Sequence, residues 1–211
     1  TAVRHAAAAV AAADAYYRAS GRLAIATTTY GPGFTNAITP LTEAAQARIP
    51  LVLVTGAPPA NARPWDVDQR ALTEASGAMY IEVGPGGGAN DAEVAVDMAL
   101  SARRPVVLAI PYDIGANAEP SGASSVSRTG FDLAPVDPAL IADAAARLAG
   151  AERPLILAGR GAWLAGAQDA AAALARDLGA LTTTSALAMG FFDGDDALGI
   201  SGGFATEVTA E

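Results

Sequence analysis

Apolar residues along the chain form short runs that alternate with longer stretches of mixed character. Runs rich in Val, Leu and Ile and bounded by Gly or Pro are typical of strands buried on both faces of a parallel sheet. Such strands are predicted at residues 23–26, 51–54, 79–83, 105–110, 154–158 and 181–184. Helices are predicted at 5–18, 91–102, 138–148 and 164–177, and two others end near residues 48 and 76. This alternation predicts an α/β fold in which helices cover both faces of parallel sheets.

A strand–turn–helix–strand unit at residues 23–56 is the centre around which the chain is organised. Its turn contains Gly31 and Gly33, which lack a Cβ atom and let the backbone bend sharply and approach another group closely. Amides at the start of the following helix favour electron-rich ligand atoms. Pro40 predicts a kink or a short break in that helix. The spacing alone leaves two interpretations open: a ligand-binding turn, or only a sharp connection between strand and helix.

Composition and charge exclude several classes of site and partner. The 211 residues include 22 acidic and 13 basic residues, and all of the basic ones are arginine, which argues against nucleic acid or an anionic membrane surface as a partner. The absence of lysine and cysteine excludes a Schiff-base lysine, a P-loop lysine, disulfides and thiolate metal sites. No apolar run is long enough to span a bilayer and no signal peptide is visible, so we expect a soluble, cytoplasmic protein.

The second half of the chain repeats the strand–helix alternation after a change in composition. Residues 115–135 are polar and rich in Gly and Ser, and are predicted to be an interdomain linker. Beyond it, Gly159 and Gly161 follow a predicted strand and look like the first half of a dinucleotide fingerprint, but Gly166 falls two positions late for the third glycine. This favours a Rossmann-like module over a nucleotide site. The glycine-rich loop at 84–88 lacks a phosphate-binding signature and is interpreted as a flexible connection.

Taken in order, several motifs resemble the thiamine diphosphate-dependent enzymes of the acetolactate synthase and pyruvate oxidase type. They are His5 with its alanine-rich helix, Gly31-Pro32-Gly33-x-Thr35-Asn36, residues 49–56, residues 104–111, residues 153–161 and Thr182-Thr183-Thr184. The resemblance covers nearly the whole chain and implies two Rossmann-like three-layer domains. It predicts a pyrimidine-binding domain at 1–114 that lacks its start, the linker at 115–135, and a truncated central domain at 136–211.

The resemblance implies thiamine diphosphate and Mg²⁺ as cofactors of the full-length protein and a small 2-oxo acid as substrate. It also implies a homodimer or homotetramer, since family active sites form between subunits. The family holds its metal in a third, diphosphate-binding domain, whose Gly-Asp-Gly motif followed by Asn does not occur here. We therefore expect this chain alone to bind the cofactor weakly, to hold no metal and to turn over no 2-oxo acid. Some relatives hold FAD or ADP against the central domain, so a nucleotide-binding module is a further hypothesis.

By resemblance, the pyrimidine ring of the cofactor would lie near Ala6 and near the turn residues Gly31, Pro32, Gly33 and Asn36. Family members usually carry a glutamate at position 6, which hydrogen-bonds the ring and promotes formation of the reactive ylid. Alanine cannot exchange protons, so no catalytic residue is assigned. The alternatives are an engineered variant, a natural member with another route, or a non-catalytic binding or scaffold protein derived from the family. For Pro32 and Asn36 the alternative is a purely structural role in the turn and cap.

Two positions compete for the glutamine that family members often carry in the substrate pocket. A comparison without a gap places it at Gln69, and one with a gap places it at Trp65. We favour Trp65, because this pairs Asp68 with an aspartate common in the family; the alternative for Trp65 is a loop residue packed on the core. His5, the only histidine, is expected to be structural, because nothing near it in the sequence pairs with it.

Overall fold

The computed structural model describes residues 1–61, 63–115, 135–194 and 197–199. Contacts within the chain divide it into two units, Thr1–Asp132 and Leu133–Glu211, and each combines strands and helices. The predicted linker at 115–135 falls almost entirely outside the described residues. The predicted α/β class is confirmed.

Four parallel strands form the sheet of the first unit. They are β1 (Ala24–Thr28), β2 (Leu51–Ala57), β3 (Met79–Glu82) and β4 (Val106–Pro111). Their order across the sheet is β1-β2-β4-β3, and every neighbouring pair is parallel, as the apolar runs predict. All four strands therefore end at the same edge, which we name the carboxyl edge.

Helices cover both faces of this sheet. Those of the first unit are α1 (Ala6–Ser20), α2 (Pro32–Asn36), α3 (Ile38–Gln46), α4 (Gln69–Ala75) and α5 (Gly88–Ala102). Leu51 and Leu53 of β2 share a buried cluster with α1 and α3, whereas Val52, which points to the other face, is buried against α5. Because both sets of alternate residues are buried, β2 is an unbroken apolar run rather than an alternating one.

The second unit has a two-stranded parallel sheet in its described part. Its strands are β5 (Leu155–Ala158) and β6 (Leu181–Thr184), and its helices are α6 (Pro138–Ala149), α7 (Arg160–Leu164) and α8 (Gln168–Leu178). Phe191 and Phe192 pack edge to face with ring centroids 4.9 Å apart, and they form a buried cluster with Ala158 and Ala188. The described core of this unit is built largely on these two rings.

Two predicted helices differ from the helices of the structure. The helix after the glycine-containing turn is split at Ala37 into α2 and α3, so the break comes before Pro40 rather than at it. Pro40 lies in the first turn of α3, where an amide would have no intrahelical acceptor, and proline is tolerated there. The helix predicted at 164–177 is wrong at its start, because α7 ends at Leu164 and Gly166, with φ of +62°, separates it from α8.

Candidate functional site

The start of α1 and the turn after β1 lie at the carboxyl edge of the first sheet. α1 comes directly before β1 in the chain and packs along it, so the two run in opposite directions and α1 begins where β1 ends. α1 also contacts α2, which starts in the turn after β1 (residues 30–36, the glycine turn). The fold therefore brings Ala6 to the same edge as the glycine turn.

Gly31 and Gly33 serve the glycine turn in two different ways. Gly31 directly precedes α2 with φ of +63°, a conformation that residues with a side chain rarely adopt. At Gly33 the requirement is space, since a Cβ atom there would lie 2.2 Å from Oγ1 of Thr29. Pro32 takes the first helical position, where its missing N–H needs no partner, and Asn36 is the exposed last residue of α2. A Cβ atom on Gly31 would meet nothing within 4 Å, so open space beside the main chain is found at Gly31, whereas Gly33 packs against Thr29.

Position 6 carries only a methyl group at the start of α1. His5 is the N-cap residue, and its Nδ1 accepts a hydrogen bond of 3.2 Å from the amide of Ala7. No acidic residue lies in the first turn of this helix. The role of His5 is therefore helix capping, and the half-buried Ala6 offers no group that accepts or donates a proton.

Two buried polar atoms at the carboxyl edge have no hydrogen-bond partner among the described residues. One is Oγ1 of Thr28, the last residue of β1. The Cβ of Thr28 lies 3.8 Å from the place that a Cβ atom on Gly33 would take. The other is Oε1 of Gln69, a residue only 2% exposed, whose Nε2 donates to the carbonyl of Gly56 at 3.0 Å. Buried polar groups are normally paired, so both atoms mark this edge as a place where a further hydrogen-bonding group fits.

Asp66 connects the glycine turn with the loop after β2. It accepts a hydrogen bond from the hydroxyl of Tyr30, and the amide and Nη2 of Arg63 donate to its two oxygens at 2.7 and 2.9 Å. The Asp66 side chain is only 2% exposed. Hydrogen bonds from Arg63, and then from Tyr30, hold the pKa of Asp66 well below its usual value, whereas burial and the bond to Asp66 raise the pKa of Tyr30. These three side chains, which we name the carboxylate clamp, therefore hold an ionised carboxylate.

Two aromatic residues beside the carboxylate clamp are exposed. Trp65 is 73% exposed, and Cζ of Arg63 lies 5.5 Å from its ring centroid. Tyr112, directly after β4, is 62% exposed and packs edge to face on Tyr30 with centroids 5.2 Å apart. The alternative in which Trp65 packs on the core is therefore wrong, and Asp66 anchors this loop instead.

The two positions considered for the family glutamine lie in different surroundings. Trp65 lies in the exposed part of the loop, and Gln69 is buried at the first position of α4. Asp68 is the N-cap of α4 and accepts a hydrogen bond of 2.9 Å from the amide of Ala71. The placement of Trp65 at the family glutamine stays a prediction.

The paired glycines of the second unit lie at the start of α7. Gly159 is the N-cap of this helix of five residues, and Gly161 is its second residue. A cavity of about 440 Å³ lies elsewhere in the unit, between the end of α8 and β6, and its lining includes Arg176, Thr182 and Asp193. Neither glycine lines this cavity, so the structure does not join the glycine pair to it.

Within residues 1–61, 63–115, 135–194 and 197–199, no group of three or more His, Asp or Glu side chains is arranged to hold a metal ion. In the same part of the chain, no helix combines the length and the apolar character needed to cross a bilayer.

Comparison with known proteins assigns relatives to both units. Residues 1–79 match the family model described as "Thiamine pyrophosphate enzyme, N-terminal TPP binding domain", and residues 141–210 match "Thiamine pyrophosphate enzyme, central domain". The chain is 34% identical over 209 residues to the acetolactate synthase large subunit of Parasynechococcus marenigrum. This match covers 94% of this chain and 34% of that protein. It is 32% identical over 202 residues to an acetolactate synthase of Arthrospira platensis, covering 90% of this chain and 35% of that protein.

A solved structure is similar over most of the chain. This structure, of a thiamin diphosphate-dependent enzyme from Mycobacterium smegmatis, matches with a TM-score of 0.77 and 26% identity. The match covers 92% of this chain and 39% of that one. The chain thus spans about a third of the length of the two curated relatives.

Proposed function

Because this chain belongs to the thiamine pyrophosphate enzymes, whose N-terminal and central domains it carries, we propose that its first unit forms the pyrimidine-binding half of a thiamine diphosphate site. The family resemblance predicted from the sequence motifs is confirmed by these matches. Within the family, we propose a carboligase or decarboxylase of the acetolactate synthase type that acts on a small 2-oxo acid. The likeness to two acetolactate synthases supports this choice.

The observation that carries the proposal is the shared position of the glycine turn and the start of α1. Both lie at the carboxyl edge of a parallel sheet. Ligands of α/β folds bind outside the carboxyl ends of the strands, where loops and helix N-termini meet. The turn and the first residue of α1 are also the segments that the sequence motifs single out.

The residues at this edge fit a planar aminopyrimidine ring in shape and in hydrogen bonding. Gly31 has open space where a side chain would stand, so a flat ring can approach the main chain closely there. The buried hydroxyl of Thr28, which has no partner in the described part of the chain, can bond to a ring nitrogen or to the amino group. Pro32 and Asn36, at the two ends of α2, would border the ring.

The same residues do not fit the acid–base role that the family assigns to position 6. When bound, thiamine diphosphate supplies the carbanion chemistry of the reaction. The chain binds and orients the pyrimidine end, but the methyl group of Ala6 can neither take up nor release a proton. No catalytic residue is therefore assigned to the described chain. We further propose that the diphosphate and Mg²⁺ are held by a separate domain, and that a second subunit of a homodimer completes the site.

A second candidate function is a non-catalytic binding or scaffold protein derived from the family. The observation that favours it is the alanine at position 6, together with a first turn of α1 that has no acidic residue. This candidate predicts that thiamine diphosphate binds but that its C2 proton does not exchange faster than in water. The FAD or ADP hypothesis for the second unit predicts bound flavin or nucleotide, which an absorbance spectrum of the purified protein would detect.

Titration of thiamine into the isotopically labelled chain, followed by NMR, tests the proposed site. We expect the amide signals of Gly31 and Gly33 to shift, with a dissociation constant of about 1 mM, because only one end of the cofactor has a site here. Pyrophosphate is the control and should leave these signals in place. The proposal is overturned if thiamine leaves residues 30–36 unshifted, or if pyrophosphate shifts them equally. Micromolar binding of thiamine diphosphate would contradict the expected weakness of this half-site.

A further inference from the structure

The carboxylate clamp ties together two loops of the carboxyl edge. Tyr30 belongs to the glycine turn and Asp66 to the loop after β2, so the bond between them bridges 36 positions of the chain. Tyr30 directly precedes Gly31, and Asp66 directly follows Trp65. A single carboxylate therefore connects the main chain of the glycine turn to the loop that carries the exposed indole.

This connection acts as a unit because Asp66 is both buried and ionised. Its side chain is 2% exposed and accepts hydrogen bonds from the Tyr30 hydroxyl and from the amide and guanidinium of Arg63. A hydrogen bond to a buried carboxylate is among the stronger ones, and without the Tyr30 hydroxyl the remaining donor to Asp66 among the described residues would be Arg63, which lies in the same loop. Removing the Tyr30 hydroxyl would therefore release the loop from the glycine turn.

Trp65 lies between the two loop residues of the carboxylate clamp, Arg63 and Asp66. Arg63 and Asp66, which lie on either side of Trp65 in the sequence, are bonded to each other in the clamp. The indole ring is left facing solvent, 73% exposed, with the guanidinium of Arg63 5.5 Å from its centre. The residues on either side of the ring are thus held by the clamp, and its closure would restrict where the ring can lie.

We propose that Asp66 is a positioning residue that couples the glycine turn to the loop of Trp65. While the clamp is closed, a ligand that orders the glycine turn also orders the loop and places the indole ring at the rim. When Tyr30 no longer reaches Asp66, the two segments move independently. The part played by a ligand rests on the proposed function, whereas the coupling itself is a property of the three side chains.

A pair of matched tyrosine variants tests the coupling without any ligand. Tyr30→Phe deletes the hydroxyl of the clamp and keeps the ring that packs on Tyr112. Tyr80→Phe is the control, because its hydroxyl also donates to a carboxylate, that of Glu82, at 3.2 Å. Amide hydrogen exchange at residues 31–36 and 63–68 reports on the two segments.

Trp65 provides a second, spectroscopic readout. The chain has two tryptophans, so Trp163→Phe leaves Trp65 as the only one, and its fluorescence anisotropy decay reports the motion of the loop. We expect Tyr30→Phe to lower amide protection about tenfold or more in both segments, as the loss of a hydrogen bond to a charged group should, and to speed the decay. Tyr80→Phe should change neither. Asp66→Asn, which removes the charge and keeps the shape, should reproduce the effect of Tyr30→Phe in both readouts. The coupling is overturned if Tyr30→Phe or Asp66→Asn loosens only one segment, or neither.

Thiamine added to the same variants separates the coupling from the proposed function. We expect it to slow amide exchange in both segments of the parent chain, but only in the glycine turn of Tyr30→Phe. Protection of the glycine turn alone in the parent would overturn the coupling to ligand and leave the proposed function standing. If thiamine protects neither segment in the parent, the proposed function fails, and the ligand-free comparison still decides the coupling.

Discussion

Replacing Gly33 by alanine tests whether the glycine turn depends on close approach of the backbone to β1. A Cβ atom at this position would lie 2.2 Å from Oγ1 and 3.2 Å from Cβ of Thr29. Favourable contacts between heavy atoms lie at about 3.5–4.0 Å, so the first of these is a severe overlap. Rotation of the Thr29 side chain moves Oγ1 away but leaves its Cβ in place. The turn must therefore shift by a few tenths of an ångström.

The magnitude follows from two opposing effects. Inserting a methyl group into a packed site costs roughly 1–3 kcal/mol, and exchanging glycine for alanine within a helix returns about 1 kcal/mol. Gly161→Ala is the matched control, because Gly161 is the second residue of a five-residue helix, as Gly33 is, and a Cβ atom there meets nothing within 4 Å. The helical gain is common to both variants. Gly33→Ala should therefore lower the free energy of unfolding by roughly 1–3 kcal/mol more than Gly161→Ala does, and this difference measures the contact with Thr29.

The two glycines lie in different units, so each free energy of unfolding must be measured in its own unit. Denaturant-dependent amide exchange, which resolves the strands of the two sheets, provides this measurement. The thiamine-induced shifts at the glycine turn should also be lost in Gly33→Ala and retained in Gly161→Ala. A difference below about 0.5 kcal/mol between the variants would show that the turn adapts freely, and the close-approach reasoning would then be refuted.

Three further predictions concern charge at the carboxyl edge. Folding lowers the pKa of Asp66 from 3.8, so the stability that its carboxylate confers is present above pH 3.8 and is lost as the pH falls further. The difference in free energy of unfolding between the parent and Asp66→Asn should therefore shrink on acidification. A difference that stays constant with pH would contradict this prediction. Gln69→Glu should destabilise the first unit by roughly 2–4 kcal/mol at neutral pH, because a buried carboxylate would face the carbonyl of Gly56. The stability of this variant should recover in acid, where the protonated carboxyl group can donate to that carbonyl. In urea titrations, the same change at the exposed Gln46 should alter the free energy of unfolding by less than about 0.5 kcal/mol. In a protein that joins this chain to a diphosphate-binding domain, Ala6→Glu should raise the exchange rate of the cofactor C2 proton about 10²–10⁴-fold by NMR, and equal rates would mean that another group moves this proton.

Local patterns were sufficient to predict the sheet and the turn. The strand β2 is an apolar run because Leu51 and Leu53 are buried on one face and Val52 on the other, and this arrangement leaves a direct signature in the sequence. Gly31 and Gly33 are equally local, since the conformation of one and the close contact of the other arise within a few residues. Helix ends were less predictable, since the break falls at Ala37, three positions before the proline that predicted it.

The candidate site was predictable only in part. The residue types at position 6 and in the glycine turn follow from sequence motifs, but the unpartnered hydroxyl of Thr28 does not. A run of three threonines at the end of a strand was the only signal for it, and nothing in that run shows which hydroxyl would be buried without a partner. Burial depends on neighbours such as Thr55 of β2, which pairs with Thr28 and is distant in sequence.

What the sequence by itself determined is the strands, their parallel pairing and the absence of an ionisable group at position 6. Each of these is a property of residues that are close together in the chain. The tertiary structure alone decided that Tyr30 meets Asp66, that Gln69 is buried against the carbonyl of Gly56, and that Trp65 faces solvent. Contacts such as that between Tyr30 and Asp66 join loops that leave different strands, and no periodic pattern encodes such a pairing. They arise because parallel strands end at one edge, so that residues far apart in the chain converge there.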